Sequence, residues 1–247
     1  MNTPLPSRPH LFGLLAGLAL AAGLVFTAMV FANAWTRIAE SQIISVTGSA
    51  RKNVRSDLVV WRSSFSVEAP TLIEAQQKLR DDYAKVAAFL AKRGHEHFTT
   101  SPVEISEITA KQRRDKEVSE VRVGYRLAQS LEVQSADVDE LPKLASDSSE
   151  LLQQGVTFMS GGFEFIYTKA GDAKVEMMAE ATKDARVRAE QIATQGGRSI
   201  KELRNARMGV VQINSLHSSS TSWEGNNDTT SVDKTIVATV AATFAMK

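Results

Sequence analysis

The sequence contains no cysteine, and this limits both its stabilisation and its chemistry. Disulfide bonds, thiolate nucleophiles and cysteine-based metal sites are all excluded. A protein that leaves the cytoplasm without disulfides must rely on core packing to hold its fold.

The chain also lacks an excess of charge of either sign. Its 29 lysines and arginines nearly balance 28 aspartates and glutamates, so the formal net charge is +1 at pH 7. We therefore expect no nucleic-acid partner. Glycine-rich phosphate-binding motifs are absent too, and no cofactor is expected. The 247 residues suffice for one or two domains.

A long apolar run near the start is the most prominent feature that is present. Residues 11–34, LFGLLAGLALAAGLVFTAMVFANA, carry no charge. As a helix rising about 1.5 Å per residue, this run would be about 36 Å long and would cross a hydrocarbon core of about 30 Å. The apolar part of a signal peptide spans only about 7–15 residues. We therefore predict that residues 11–34 are a retained transmembrane anchor in the lipid bilayer.

The flanking residues indicate the orientation of this anchor. Arg8 and the amino terminus precede the run, which places residues 1–10 in the cytoplasm and the rest outside. Residues 35–42 then form a juxtamembrane linker, with Trp35 at the membrane interface. The predicted location is single-pass in the inner (cytoplasmic) membrane, with residues 43–247 in the periplasm.

A second interpretation of the same residues stays open. Ala32-Asn33-Ala34 has the small-x-small pattern after which signal peptidase cuts. Cleavage after Ala34 would release a secreted periplasmic protein. Both interpretations export residues 36–247.

Strand and helix patterns alternate irregularly after the anchor. Period-2 alternation predicts strands near residues 44–50, 58–68, 103–108, 121–133, 158–168, 200–213 and 232–246. Apolar stripes at helical spacing predict three helices, near 71–93, 139–154 and 172–195. This order favours an α+β fold with a mixed, mainly antiparallel sheet. We further predict two sub-lobes, 43–135 and 136–247, and a flexible polar loop at 214–231.

The strand at 121–133 has the clearest alternation in the chain. It places one apolar set on a single face that we predict to be buried: Val121, Val123, Tyr125, Leu127, Leu131 and Val133. Arg122, Arg126 and Glu132 fall on the opposite face, so a slip of one residue would bury three charges.

Three motifs in this order resemble those of the SIMPL-domain family. They are the strand Ile44–Ala50, the run Val123-Gly124-Tyr125-Arg126 followed by Gln129-Ser130-Leu131, and the alanine-rich stretch Ala181–Gly197. The resemblance covers about residues 41–247. It implies an α+β fold in the bacterial envelope, with relatives among periplasmic immunogenic and oxidative-stress-defence proteins and some ring-like or channel-like homo-oligomers. The family has no agreed catalytic residues, so none is assigned.

Two histidines form the best candidate for a metal site. In Gly94-His95-Glu96-His97, a strand would direct His95 and His97 to one face, where two imidazoles can bind zinc or copper. No third ligand is marked, and a polar connector is the favoured interpretation. His217 lies beside three serines without an orienting acid, so we assign no catalytic residue and predict a protein that is not an enzyme.

Self-association is predicted from the end of the chain. The strand at 232–246 is long and apolar and would invite pairing if it lay at a sheet edge. Trp223 is a lone aromatic in a polar loop and a possible oligomer contact. We predict a self-associating, membrane-anchored envelope protein related to envelope or oxidative stress. The alternatives are a secreted ring-like or channel-like oligomer and a metal-binding protein using His95 and His97.

Overall fold

The structure is a computed structural model that describes residues 9–39, 42–114 and 117–247, with side chains described for 13–36, 42–111 and 120–247. The predicted cytoplasmic segment 1–10 and linker 35–42 fall partly outside these residues. The elements along the chain are α1 (Pro9–Ala39), β1 (Ile43–Arg55), β2 (Leu58–Ala69), α2 (Leu72–Ala91), β3 (Thr99–Thr100), β4 (Glu104–Arg114), β5 (Glu117–Ser135), α3 (Glu140–Asp147), α4 (Ser149–Gln153), β6 (Thr157–Ile166), α5 (Ala170–Gln195), β7 (Ile200–Met208), β8 (Gln212–Ser215) and β9 (Asp233–Met246). The predicted α+β class with mainly antiparallel sheets is confirmed.

The apolar run forms one continuous helix. Within α1, the span Gly13–Thr36 is long and apolar enough to cross a membrane, and none of it is buried against the protein. A fully apolar helix with no protein partner is typical of a segment that faces lipid.

The chain divides into two compact units, and each is built from separated stretches. The larger unit contains Ser49–Ala181 and Gly209–Thr239, and the smaller contains the chain up to Gly48 with Thr182–Met208 and Val240–Lys247. The boundary near residue 135, predicted between two sub-lobes, is not where this division falls.

The core of the larger unit lies on one face of a five-stranded antiparallel sheet. The strand order is β3-β5-β2-β6, and β4 also pairs with β5. The alternating residues of β2 and β5 are buried as predicted, including Trp61, Phe65, Leu127 and Leu131. Helix α2 contacts β2 and β5, and its N-cap is Thr71, whose side chain accepts a hydrogen bond from the Glu74 backbone.

The predicted burial of Val121 and Val123 is wrong. Their side chains are 41% and 53% exposed. Strand β2 pairs with β5 only as far as Ala69, which lies opposite Tyr125. Beyond that point β5 pairs with β4 alone and forms a two-stranded ribbon. Val121 and Val123 lie on this ribbon, outside the part of the sheet whose inner face is buried.

Two glycines allow close approach between strands. A Cβ at Gly161 would lie 2.2 Å from the carbonyl oxygen of Arg62, at the point where the β2–β6 register shifts. A Cβ at Gly124 would lie 2.8 Å from the Ala69 carbonyl oxygen. A side chain at either position would therefore push the backbones apart.

The smaller unit packs alanines against the sheet. Ala185 and Ala189 of α5 are fully buried and share a cluster with Ala242 and Phe244 of β9. Small side chains permit this close packing, as the alanine-rich pattern predicted. Ile44 of β1 packs against the same cluster.

The hypothesis that the last strand lies at a sheet edge is wrong. Strand β9 lies between β1 on one side and β7 and β8 on the other, with antiparallel pairing to β7 and β8. Its backbone is therefore paired on both sides. Lys234, a charged residue that would oppose pairing with another chain at an exposed edge, is only 1% exposed. This removes one of the arguments for self-association.

Two details of the helices differ from the prediction. The helix expected at 139–154 is broken at Ser148 into α3 and α4. Helix α5 begins at Ala170, before the predicted start at residue 172, so Asp172 lies in its first turn.

Candidate functional site

The polar segment between β8 and β9, residues 216–231, is here named the Trp223 loop. Two buried amide side chains of β8, Gln212 and Asn214, provide its attachment to the sheet. Asn214 donates from Nδ2 to the Ser220 carbonyl at 2.7 Å, and Asn226 donates to Asn214 Oδ1 at 2.8 Å. These amides satisfy backbone groups that a polar loop would otherwise leave to water. The flexibility predicted for 214–231 stays a prediction.

Gln212 forms hydrogen bonds to the turn that carries Trp223, both before and after that residue. Its Nε2 donates to the Ser222 carbonyl at 2.7 Å, and its Oε1 accepts from the backbone N–H groups of Ser222 at 3.2 Å and Asn226 at 2.8 Å. The Gly225 N–H closes the turn onto the Ser222 carbonyl at 3.2 Å. One side-chain amide thus makes three bonds to the residues that flank Trp223.

Gly225 is required where this turn meets the sheet. Its φ is +93°, a conformation that residues with a side chain rarely adopt. A Cβ here would also lie 2.7 Å from Val210 Cγ1 and 3.0 Å from the Val211 carbonyl oxygen.

A buried ion pair anchors the other end of the loop. Lys234 donates from Nζ to the Asp228 carbonyl and lies 3.6 Å from Asp228 Oδ2. Burial alone would raise the pKa of Asp228, but hydrogen bonds from Thr230 and Ser231 and the charge of Lys234 outweigh it and lower that pKa to about 2. Burial lowers the pKa of Lys234, although Asp228 opposes this shift.

Trp223 projects away from this ordered base. At 85% exposure it is the most exposed large apolar side chain in the part of the chain that the structure describes. Trp223 therefore does not fold back into the core of its own domain. A single exposed apolar residue is common on protein surfaces, but Trp223 is also carried by a turn that Gln212 holds through three hydrogen bonds.

A second polar feature lies on the outer face of the five-stranded sheet. A groove of about 480 Å³ is lined mainly by hydroxyl side chains around Arg62 and Glu132. Arg62 donates to Glu132 at 2.9 Å and to Glu164 at 2.6 Å. The bond to Glu164, followed by that to Glu132, raises the pKa of Arg62. Because both carboxylates already engage Arg62, its guanidinium is not poised for an anionic ligand.

The two histidines of the predicted metal site lie in different environments. His95 is buried, with Nε2 3.3 Å from Glu140 Oε1, and its backbone N–H donates to the Leu90 carbonyl. His97 is exposed on the connector that follows. Among the described residues, no group of three or more potential ligands is placed to hold a metal ion. His95 therefore joins the end of α2 to the start of α3.

The residues that hold the Trp223 loop were not recognised from the sequence. Gln212 and Asn214 interrupt an apolar strand at alternate positions, and that pattern was the available signal. The burial of Lys234 has no signal in the sequence, because lysine is rarely buried without a partner.

The mainly antiparallel sheets with their packed helices, preceded by one exposed apolar helix, define the class of this protein as an α+β domain with an N-terminal helix long enough to cross a membrane. Residues 44–244 match the family model described as "SIMPL: Protein of unknown function (DUF541)". Because the match covers most of the chain, the protein belongs to the SIMPL family. No curated protein matches the chain.

Proposed function

We propose that this protein is a non-enzymatic envelope protein that holds its SIMPL domain outside the cytoplasm on a single membrane helix and assembles with copies of itself. The observation that carries the proposal is helix α1, whose span Gly13–Thr36 is apolar and wholly unburied. A role in envelope or oxidative stress is part of the proposal and is supported by the family resemblance.

Retention of the anchor has a direct test. The intact mass of the protein recovered from membranes should include residues 11–34, and alkaline carbonate should not release it. A mature chain that begins near Trp35 would instead establish the secreted alternative.

Exposed apolar residues on the β4–β5 ribbon support self-association. Ile105, Val121 and Val123 are 55%, 41% and 53% exposed. Val121 and Val123 lie beyond the end of the β2–β5 pairing, and Ile105 lies opposite Leu127 on the neighbouring strand β4. Apolar side chains on an uncovered ribbon favour contact with another surface, and a second copy supplies the same apolar chemistry.

Light scattering on residues 36–247 at micromolar concentration tests this surface. We expect an oligomer that is weakened by the double substitution Val121→Ser with Val123→Ser. Ile73→Ser is the matched control because Ile73 is also highly exposed but lies on α2. A monomer throughout the concentration range would contradict self-association of the exported part.

The metal-binding alternative rests on His95 and His97. Metal analysis of the purified exported part distinguishes it from the main proposal. Stoichiometric zinc or copper that is lost in His97→Ala would favour the alternative, because His97 is exposed and its replacement leaves the His95–Glu140 contact in place.

A further inference from the structure

The Trp223 loop presents an aromatic side chain on a backbone that is hydrogen-bonded to the strands beside it. Gln212 bonds to residues on both sides of Trp223, and Lys234 bonds to Asp228 near the far end of the loop. A partner that binds here meets a backbone that these bonds already restrain, which reduces the entropic cost of association. An aromatic side chain with two rotatable bonds adds little further cost.

The chemistry around Trp223 restricts the kind of partner. From His217 to Ser231 the sequence is HSSSTSWEGNNDTTS, and Trp223 is the only large apolar residue. The exposed positions of the loop include Ser219, Ser220, Thr221 and Asn227. Hydroxyl and amide groups of this kind donate and accept hydrogen bonds without charge.

Other classes of partner fit this surface less well. The loop contains no lysine or arginine, so it lacks the groups that attract anionic lipid headgroups or nucleic-acid phosphates. A protein hot spot built on tryptophan is surrounded by other side chains that exclude water, whereas the neighbours of Trp223 in the sequence are Ser222 and the exposed carboxylate of Glu224. That carboxylate accepts hydrogen bonds from hydroxyl groups.

A neutral sugar chain has the complementary properties. The C–H groups on one face of a pyranose ring carry partial positive charge and pack against the electron-rich face of an indole. Its hydroxyl groups pair with serine, threonine and asparagine side chains. We propose that the Trp223 loop is a docking site for a neutral glycan chain, with Trp223 as the stacking platform. The proposal goes beyond the anchored assembly described above and depends on it only for placing the loop among extracellular glycans.

Calorimetric titration of the full-length protein in detergent tests this site. The probes are the hexamer of β-linked N-acetylglucosamine and the hexamer of β-linked glucose. We expect saturable binding of at least one probe. Trp223→Ala should weaken that binding about tenfold or more, and Trp223→Phe should retain part of it because the aromatic face remains.

Ile73→Ala is the matched control, because Ile73 is 81% exposed and lies on helix α2 away from the loop sequence. It should bind the probe like the unmodified protein. Gln212→Ala should also weaken binding although Trp223 is still present, since the turn loses three hydrogen bonds. Unchanged affinity in that variant would overturn the assignment of Gln212 as the positioning residue.

Absence of saturable binding to both hexamers would overturn the proposal, as would equal affinity in Trp223→Ala. Loss of oligomer mass in Trp223→Ala without any effect on the sugar titration would also overturn it and would assign Trp223 to a contact between copies. The titration does not involve the membrane, so its failure leaves the anchored function standing.

Discussion

Replacing Asp228 by asparagine would remove one negative charge from the base of the Trp223 loop while keeping the shape of the side chain. Lys234 would remain, 1% exposed, with its bond to the Asp228 carbonyl but without a charged partner at 3.6 Å. Thr230 would still find an oxygen acceptor on the asparagine. The substitution therefore isolates the electrostatic contribution.

The expected cost follows from the pKa of Asp228. That pKa is about 2 in the folded protein, against an ordinary value of 3.8. At about 1.4 kcal/mol for each pH unit, the difference corresponds to about 2.5 kcal/mol of stability at pH 7. This is the upper limit for Asp228→Asn, because the Thr230 bonds that contribute to the shift keep an acceptor. This lies below the roughly 3–5 kcal/mol for breaking a fully buried pair, since the Asp228 side chain is 15% exposed.

The pH dependence of stability provides a second test of the same free-energy difference. A carboxyl group whose pKa is lowered on folding stabilises the protein fully above its ordinary pKa, and this contribution is lost as pH falls towards the folded value. The stability difference between the unmodified protein and Asp228→Asn should therefore be constant above about pH 5 and shrink between 3.8 and about 2.

Urea denaturation of residues 36–247 measures these differences. Asp233→Asn is the control, because Asp233 is exposed and its replacement should change stability by less than about 0.5 kcal/mol. Adding Lys234→Met to Asp228→Asn should recover stability by removing the unpaired buried ammonium group. A loss below about 0.5 kcal/mol for Asp228→Asn, or a loss that does not change with pH, would refute this account of the ion pair.

Two further substitutions test the core and the strand packing. Leu131→Ala should cost about 2–5 kcal/mol in the same denaturation assay, since Leu131 is 2% exposed, whereas Leu152→Ala at a 58% exposed position should cost far less; similar losses would contradict the assigned core face. Gly161→Ala should be strongly destabilising because its Cβ would meet the Arg62 carbonyl oxygen at 2.2 Å, whereas Gly162→Ala has nothing within 4 Å. Equal melting temperatures for the two alanine variants would show that β2 and β6 do not approach as closely as described.

Local pattern was sufficient where one side of an element faces the core. Leu127 and Leu131 could be assigned to the interior because a shift of one residue would have buried Arg126 and Glu132. A helix could be predicted from residue 71 onwards, and Thr71 caps it through a partner only three residues away. Interactions of this kind involve neighbours in the sequence, so the sequence displays them directly.

Pairing between strands that are distant in sequence decided which residues of β5 are buried and where β9 lies in its sheet. The apolar alternation alone did not settle either point. Val121 and Val123 continue the apolar alternation of β5, yet they are exposed because β2 ends its pairing at Ala69. The alternation of β9 was compatible with an edge or a central strand. Its central position depends on β1, which lies almost the whole domain away in sequence.

The sequence by itself determined the long apolar helix, the α+β class and the family, because each depends on composition, periodicity or motif order along the chain. Only the tertiary structure decided the state of Trp223. A lone aromatic in a serine-rich segment is equally compatible with a mobile loop, a buried side chain or a fixed platform. The hydrogen bonds from Gln212 and the burial of Lys234 select the platform, since they join the loop to strands whose positions are fixed by the folded sheet.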